Sequence, residues 1–362
     1  MSDGARGRLA VLAASALAAC GPASPGGTPP PAPATAAAPM LSPQVSGTTE
    51  LLQAVSAPSA SVAWISGHRG TYVRTTDGGA TWIAGRVPGA DTLQFRDVYA
   101  LDANRAWLMS AGPGALSRIY RTTDAGATWT LQFTNEEPEA FYDCLDFWDE
   151  RRGVAFSDQV GGRLIIRVTS DGGATWNLVP ASSLPAALPG EGGFAASGTC
   201  LVTRPGGHAW IATGNAPRSR ILHTGDYGRT WDVFEMPVVA GGEAAGLATI
   251  TFRDDRHGAA LGGEIGKADA RTDNVAITSD GGRTWRPGGR PLFAGAVFGA
   301  AFIPRAGASL VAVGPGGANL SRDGGATWAA MDTLAYWGIG FSPEGTGWLA
   351  GPRGRITRVA PR

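Results

Sequence analysis

The sequence predicts an all-β protein, a seven-bladed β-propeller, and three observations carry that prediction. One eight-residue string recurs six times: "TTDGGATW", "TTDAGATW", "TSDGGATW", "TGDYGRTW", "TSDGGRTW" and "SRDGGATW". Its aspartates, Asp77, Asp124, Asp171, Asp226, Asp280 and Asp323, are spaced 47, 47, 55, 54 and 43 residues apart, a period that belongs to solenoids and propeller blades. The intervals hold short alternating runs broken by glycine, such as "SVAWISG" and "RLIIRVTSD", and these read as strands. The 54 glycines and 12 tryptophans of the 362 residues fit many short strands joined by tight turns.

The chain opens on a segment outside that fold. Arg6 and Arg8 precede the apolar run "LAVLAASALAA", which is too short for a membrane span and reads as the core of an export signal. The string "LAAC", ending at Cys20, resembles the lipobox of bacterial lipoproteins. That resemblance implies cleavage before Cys20, a lipid on its thiol, and attachment to the extracytoplasmic side of a bacterial membrane. Gly21 follows the cysteine where a retention signal would place Asp, so the outer membrane is favoured. An ordinary secretory signal with a coincidental cysteine is the alternative. Residues 20–40, rich in Pro, Ala and Gly and free of charge, read as a linker able to span on the order of 60 Å at ~3.1 Å per residue.

Residues 41–362 are expected to form a single propeller of seven units averaging about 46 residues, the size of four short strands and their turns. In the first unit these are "ELLQAVSAP", "SVAWISG" and "TYVRTTDGGATW", the strand following the repeated string being the fourth. The seventh unit reads "YWGIGFSP", "GTGWLAG" and "ITRVAPR", and ends where its repeated string should come. The stretch "LSPQVSG" at 41–47 is expected to supply the missing strand and close the ring.

The repeated string resembles the Asp-box, or BNR repeat. Its chemistry suits a hairpin between the third and fourth strands. The carboxylate accepts turn amides, the glycine two residues later adopts a positive φ, and the Thr hydroxyl ties the turn. Trp82, Trp129, Trp176, Trp231, Trp285 and Trp328 then bury their rings between blades. The six aspartates are thus structural, with calcium or substrate binding as the alternative.

Cys144 and Cys200 each fall nine residues before equivalent positions, Gly153 and Ala209. This places them on innermost strands of neighbouring blades. A disulfide forms if their Cα atoms come within about 7 Å; otherwise they are two small buried residues.

Composition excludes several functions. Basic and acidic side chains are balanced at 30 each, so nucleic acid is not an expected partner. The four histidines have no ligand spacing, and no phosphate loop or nucleophile elbow is present. No metal or cofactor is expected, and the protein should act as a monomer. Sialidases, which share the Asp-box, carry an early Phe-Arg-Ile-Pro motif; the nearest string here is "FIPR" at 302–305, late and in the wrong order. A carbohydrate-active enzyme or glycan-binding lectin remains the alternative function. Its candidate carboxylates are Asp143 and Asp146 in "NEEPEAFYDCLDFWDE", which otherwise pair locally.

The loops between second and third strands share one face with the connections between blades, opposite the repeated turns. This face carries Arg69, Arg118, Arg163, Arg218, Arg220, Lys267, Arg271, Arg353 and Arg355. Lys267 is the one lysine of the chain. Such a ring attracts an anionic partner, although Glu136, Glu137 and Glu139 share the face. Single seven-bladed Asp-box rings of this length resemble the photosystem II stability/assembly factor family. The resemblance implies a non-enzymatic module, bearing an arginine patch, that assists membrane-protein assembly. The expected partner is a protein or envelope component with an anionic surface.

Overall fold

The computed structural model describes residues 39–242 and 244–360. The expected export signal, Cys20 and most of the expected linker lie outside the described residues. Within them, twenty-eight strands, β1–β28 in chain order, form seven four-stranded antiparallel sheets. The fold is the seven-bladed propeller that the repeat predicts.

In blade one, β2 (Leu52–Ser56), β3 (Ala63–Gly67), β4 (Thr71–Thr75) and β5 (Ile83–Arg86) lie side by side in chain order. Blades two to six repeat this plan. Their innermost strands are β6 (Phe95–Ala100), β10 (Tyr142–Phe147), β14 (Leu201–Arg204), β18 (Ala245–Phe252) and β22 (Gly299–Phe302). With β2 and β26 (Gly338–Phe341) they pack in sequence around a central channel. Second strands are mostly buried, and wholly so in "AWISG" and "LVAVG", because neighbouring blades cover both of their faces. The hydrophobic core therefore lies between blades. One cluster joins Trp64 and Tyr72 of blade one to Phe95 and Leu108 of blade two.

Blade seven is closed by the chain's beginning. β1 (Met40–Val45) pairs antiparallel with β28 (Arg355–Ala360), Met40 opposite Ala360 and Val45 opposite Arg355. Pro43 is tolerated because this strand is outermost and needs few outward amides. Gln44 secures the seam between blades seven and one. Its Oε1 accepts from Trp82 Nε1 at 3.0 Å and from Trp348 Nε1 at 3.1 Å. A β-carbon at Gly79 would come within 2.2 Å of that oxygen, so only glycine leaves room for the glutamine.

The six repeated turns share one hydrogen-bond pattern. In the first, Thr75 Oγ1 donates to Asp77 Oδ1 at 2.8 Å. Thr81 N donates to the same oxygen at 2.9 Å, and Thr81 Oγ1 to Oδ2 at 2.6 Å. Asp124, Asp171, Asp226, Asp280 and Asp323 accept equivalent bonds. The glycine two residues beyond the aspartate has a φ between 81° and 102° in all six. The hydrogen bond from the Thr81 hydroxyl leads in lowering Asp77 to about 2. In Asp280 desolvation is the largest single influence and raises the carboxyl, but the turn bonds together outweigh it and bring it to about 2 as well. A depressed carboxyl contributes stability above its unfolded value and loses it as pH falls through the folded one. Thermal stability is therefore expected to fall steeply between pH 4 and pH 2, the six turns acting together. Melting curves across pH 2–5 check this, and a turn variant such as Asp280→Asn should lessen the drop.

The tryptophans of the repeated turns are less buried than the sequence suggests. Trp176 and Trp231 are buried, whereas Trp82, Trp129, Trp285 and Trp328 are half-buried. The fully covered rings are Trp64, Trp107 and Trp348 on second strands. A second strand is enclosed from both sides, while the repeated turn sits at the rim.

Candidate functional site

The face opposite the repeated turns divides the predicted basic residues into several groups. Arg220, the first residue of its strand, does not belong to that surface. It is 7% exposed and donates through Nε and Nη2 to the fully buried carboxylate of Glu191, with Nη2 also reaching Ala186 O. Thr213 Oγ1 and Leu188 N complete the cage around Glu191. The loop "NAPRSR" ends sooner than its sequence suggests, because the strand Arg220–Thr224 already begins at this residue. Arg355 is half-buried, its Nη1 donating to Ala335 O at 2.6 Å while its guanidinium sits by the Tyr336 ring.

Others are exposed but neutralised or tied down. Arg218 pairs with Glu235 at 3.0 Å, and Lys267 pairs with Glu264. Arg118 donates to Ala115 O, and Arg271 to Leu292 O. Arg163 is exposed with no carboxylate within ion-pair distance among the described residues. The even basic ring expected from the sequence is thus a patchwork.

One place concentrates positive charge: the rim where blade seven meets blade one. A groove of about 750 Å³ runs between β1, residues 46–50 and the turn at Pro352–Gly354. Glu50 lies in it and carries two guanidiniums, Arg86 at 3.1 Å and Arg69 at 3.7 Å. Arg353 joins the same groove through its neighbour, Gly354 N donating to the backbone carbonyl of Glu50. Two arginines thus pair with one carboxylate, and a third lines the groove beside them. Val45 (87% exposed) and Leu334 supply apolar surface beside them.

The backbone that presents two of these arginines is unusual. Arg69 and Gly70 have φ of 55° and 71°, and Arg353 and Gly354 have 56° and 67°. These are two-residue hairpins of the type that favours Asn or Gly at its first position. A branchless but bulky arginine there costs free energy, on the order of 1 kcal/mol. Blade three uses glycine at both places, Gly161 and Gly162. Arg86, at the end of β5, was not singled out from the sequence. Its signal was available in the alternation of "IAGR" leading to that rim.

The two candidate catalytic carboxylates do not converge on one site. Asp146 lies at the lower end of the channel, its Oδ2 accepting from Thr203 N at 2.8 Å and its Oδ1 from Phe147 N. Burial pushes it up to about 6. It stitches blade three to blade four, as Ser56 Oγ stitches blade one to blade two through Ala100 N. Asp97 makes a similar link to Leu145 N. Asp143 is 1% exposed and faces Asp158. Cys144 and Cys200 are joined in a disulfide with Cα atoms 6.0 Å apart, linking the inner strands of blades three and four.

No family model matches the sequence, and no curated protein matches it. Solved structures match its shape. A structure of YCF48 bound to D1 peptide is 19% identical, with a TM-score of 0.61 over 88% of this chain and 96% of that one. YCF48 from Cyanidioschyzon merolae is 16% identical, with a TM-score of 0.60 over 89% and 99%. A streptogramin B lyase is 13% identical, with a TM-score of 0.62 over 90% and 98%. At these identities the likeness establishes the fold and leaves the function to the residues.

Proposed function

We propose that this protein is a non-enzymatic interaction module that captures a protein or envelope component through an anionic surface, at the groove where blades seven and one meet. The observation that carries the reading is that Arg69 and Arg86 share the single carboxylate of Glu50 in a groove that Arg353 also lines. Arginine binds carboxylates in a bidentate fork, and Glu50 acts as an internal stand-in that an acidic segment displaces. The likeness to YCF48, whose structure holds a D1 peptide, supports protein capture by a ring of this shape. The repeated turns fit the Asp-box as a structural device, their carboxylate oxygens being occupied by turn donors. Export, lipidation of Cys20 and an outer-membrane location complete the proposal, and they rest on the "LAAC" string.

Affinity capture from detergent-solubilised envelopes tests this reading. Reversing Arg69, Arg86 and Arg353 to Glu is expected to weaken capture at least about tenfold and to flatten its salt dependence. Glu50→Gln, which removes the internal competitor, should strengthen it. Capture that survives the reversal with the same salt dependence overturns the proposal.

A glycan-binding reading has one observation in its favour. A cavity of about 590 Å³ between blades four and five is lined by Trp210, Phe234, His208 and His223 among paired Arg and Asp side chains, an aromatic and polar lining that suits sugars. Binding on a glycan array that is lost in Phe234→Ala would favour it over the acidic-partner reading.

A further inference from the structure

The axial channel of the ring is crossed by the chain itself. Gly192 is bridged to Gly214, and Cys200 O accepts from Ala212 N. Between those two points the chain places seven residues, 193–199, where its partner strand places one, Thr213. The excess leaves the inner strand of blade four and enters the lumen. There Gln53 Nε2 of blade one donates to Ala195 O at 2.7 Å, and Ser197 Oγ donates to Phe298 O at 2.7 Å. Ile250 N of blade five donates to Thr199 O at 2.8 Å. A β-carbon on Gly198 would stand 2.1 Å from Asp97 Oδ1 of blade two. Phe194 and Ala196 pack with Ala248, Ala296 and Phe298, and Trp337 of the connection to blade seven lies against them. Below the segment remains a blind cup of about 560 Å³ lined by all seven blades.

The segment is anchored at both ends. At one end Cys200 is covalently held to Cys144. At the other, Asp158 Oδ1 accepts from Gly193 N at 3.0 Å. Asp143 lies directly beneath, so close that a β-carbon on Gly193 would come within 2.8 Å of its carboxyl. Asp143 Oδ2 is buried and has no hydrogen-bond donor among the described residues unless the facing Asp158 carboxyl shares a proton with it. Asp143 is buried and Asp158 half-buried, and two carboxyls in contact at such a place resist ionising together.

We propose that residues 193–199 are a proton-linked plug: the channel stays sealed while Asp143 and Asp158 share a proton, and the segment lifts when that proton is lost. Desolvation first, and then the neighbouring Asp158, raise Asp143 well above the carboxylate range; desolvation raises Asp158 to about 6. Lifting the segment hydrates both groups and returns them toward about 4. The sealed state therefore holds more protons than the open one, and opening becomes easier as pH rises. Other charged groups face the same place. Arg96 lies beside Asp143 and stays charged. Asp97, raised by desolvation, touches the far end at Gly198. Glu191 and Arg220 hold the stem. His68, lowered to about 4 by burial and by Arg96, contacts Gln53. His68 opposes the effect only below its ordinary value of 6.5, so the window above pH 6.5 isolates the carboxyls.

Hydrogen exchange of the disulfide-intact protein, corrected for intrinsic rates, tests this between pH 6.5 and 8.5. The opening constant of amides in 193–199 is expected to rise with pH, by at most about tenfold per unit for the one proton lost, while amides on second strands show no such slope. Asp143→Asn keeps a donor facing Asp158 and should lower the slope by about one proton; Asp158→Asn should do the same. Any slope contributed by Asp97 persists in both variants. Gly193→Ala, which pushes the segment off Asp143, should speed exchange at every pH and leave the slope intact. A flat wild-type profile, or an Asp143→Asn slope equal to that of the wild type, overturns the proposal.

Discussion

Removal of residues 39–47 is expected to open the ring, with the protein losing its single cooperative melt and associating through a newly bared strand. The deletion takes away every partner of β28 on its outer side. An exposed, flat edge of that kind recruits other chains. It also strips Trp82 and Trp348 of the Gln44 oxygen that both indoles use. A buried donor left without a partner costs about 1–3 kcal/mol, and Trp348 is wholly buried. Gln44→Leu is the graded form of the same experiment. It keeps the strand and removes only the acceptor, so a loss of about 1–3 kcal/mol is expected with the melt still cooperative. Light scattering with thermal unfolding separates the two. A monomeric, cooperative deletion variant would show that the seam is held by the blades alone.

The second large effect is expected at Arg220. Replacing it with Ala leaves Glu191, which has no exposed surface, without its guanidinium. Breaking a buried pair from one side typically costs about 3–5 kcal/mol, because the remaining charge is left uncompensated. Thr213 Oγ1 and Leu188 N still donate to that carboxylate, which argues for the lower part of the range. Glu191→Gln should cost less than Arg220→Ala, since the guanidinium retains Ala186 O and a side-chain oxygen. Replacing both residues with apolar side chains of similar volume is expected to be nearly neutral. Chemical denaturation of the two single variants and the double variant measures the coupling directly. If the single changes cost no more than surface substitutions, the pair does not hold the stem of the plug.

Much of the architecture was legible in the sequence because the repeated turn is local. Thr75, Asp77, Gly79 and Thr81 bond to one another within a few residues, so their pattern survives as a readable string. The closing strand was legible by counting, since one unit lacked a strand and one stretch was left over. The connections across blades were not. Asp146 meets Thr203, Gln53 meets Ala195 and Gln44 meets Trp348 over separations of 57, 142 and 304 residues, and nothing in local composition marks such pairs. The segment "FAASGT" reads as a small-residue loop; its passage through the channel depends on what surrounds it. The interaction face was read one residue at a time as arginine on loops. The carboxylates that neutralise Arg218 and Lys267 come from neighbouring positions on the folded rim. The groove by Glu50 gathers several guanidinium groups at one place.

The register of the closing strand also determines how the ring bears a mechanical load. Met40 lies opposite Ala360, so the two ends of the propeller leave from the same end of one strand pair. A force drawn between them peels β1 from β28 one hydrogen bond at a time and never loads the bonds in parallel. Such a zipper yields at low force, whatever the thermal stability of the blades. A pull on the N-terminal side alone meets Gln44 and its two indoles five positions in, as a first catch. The ring is thus soft against traction along its own seam, however firmly its blades are packed.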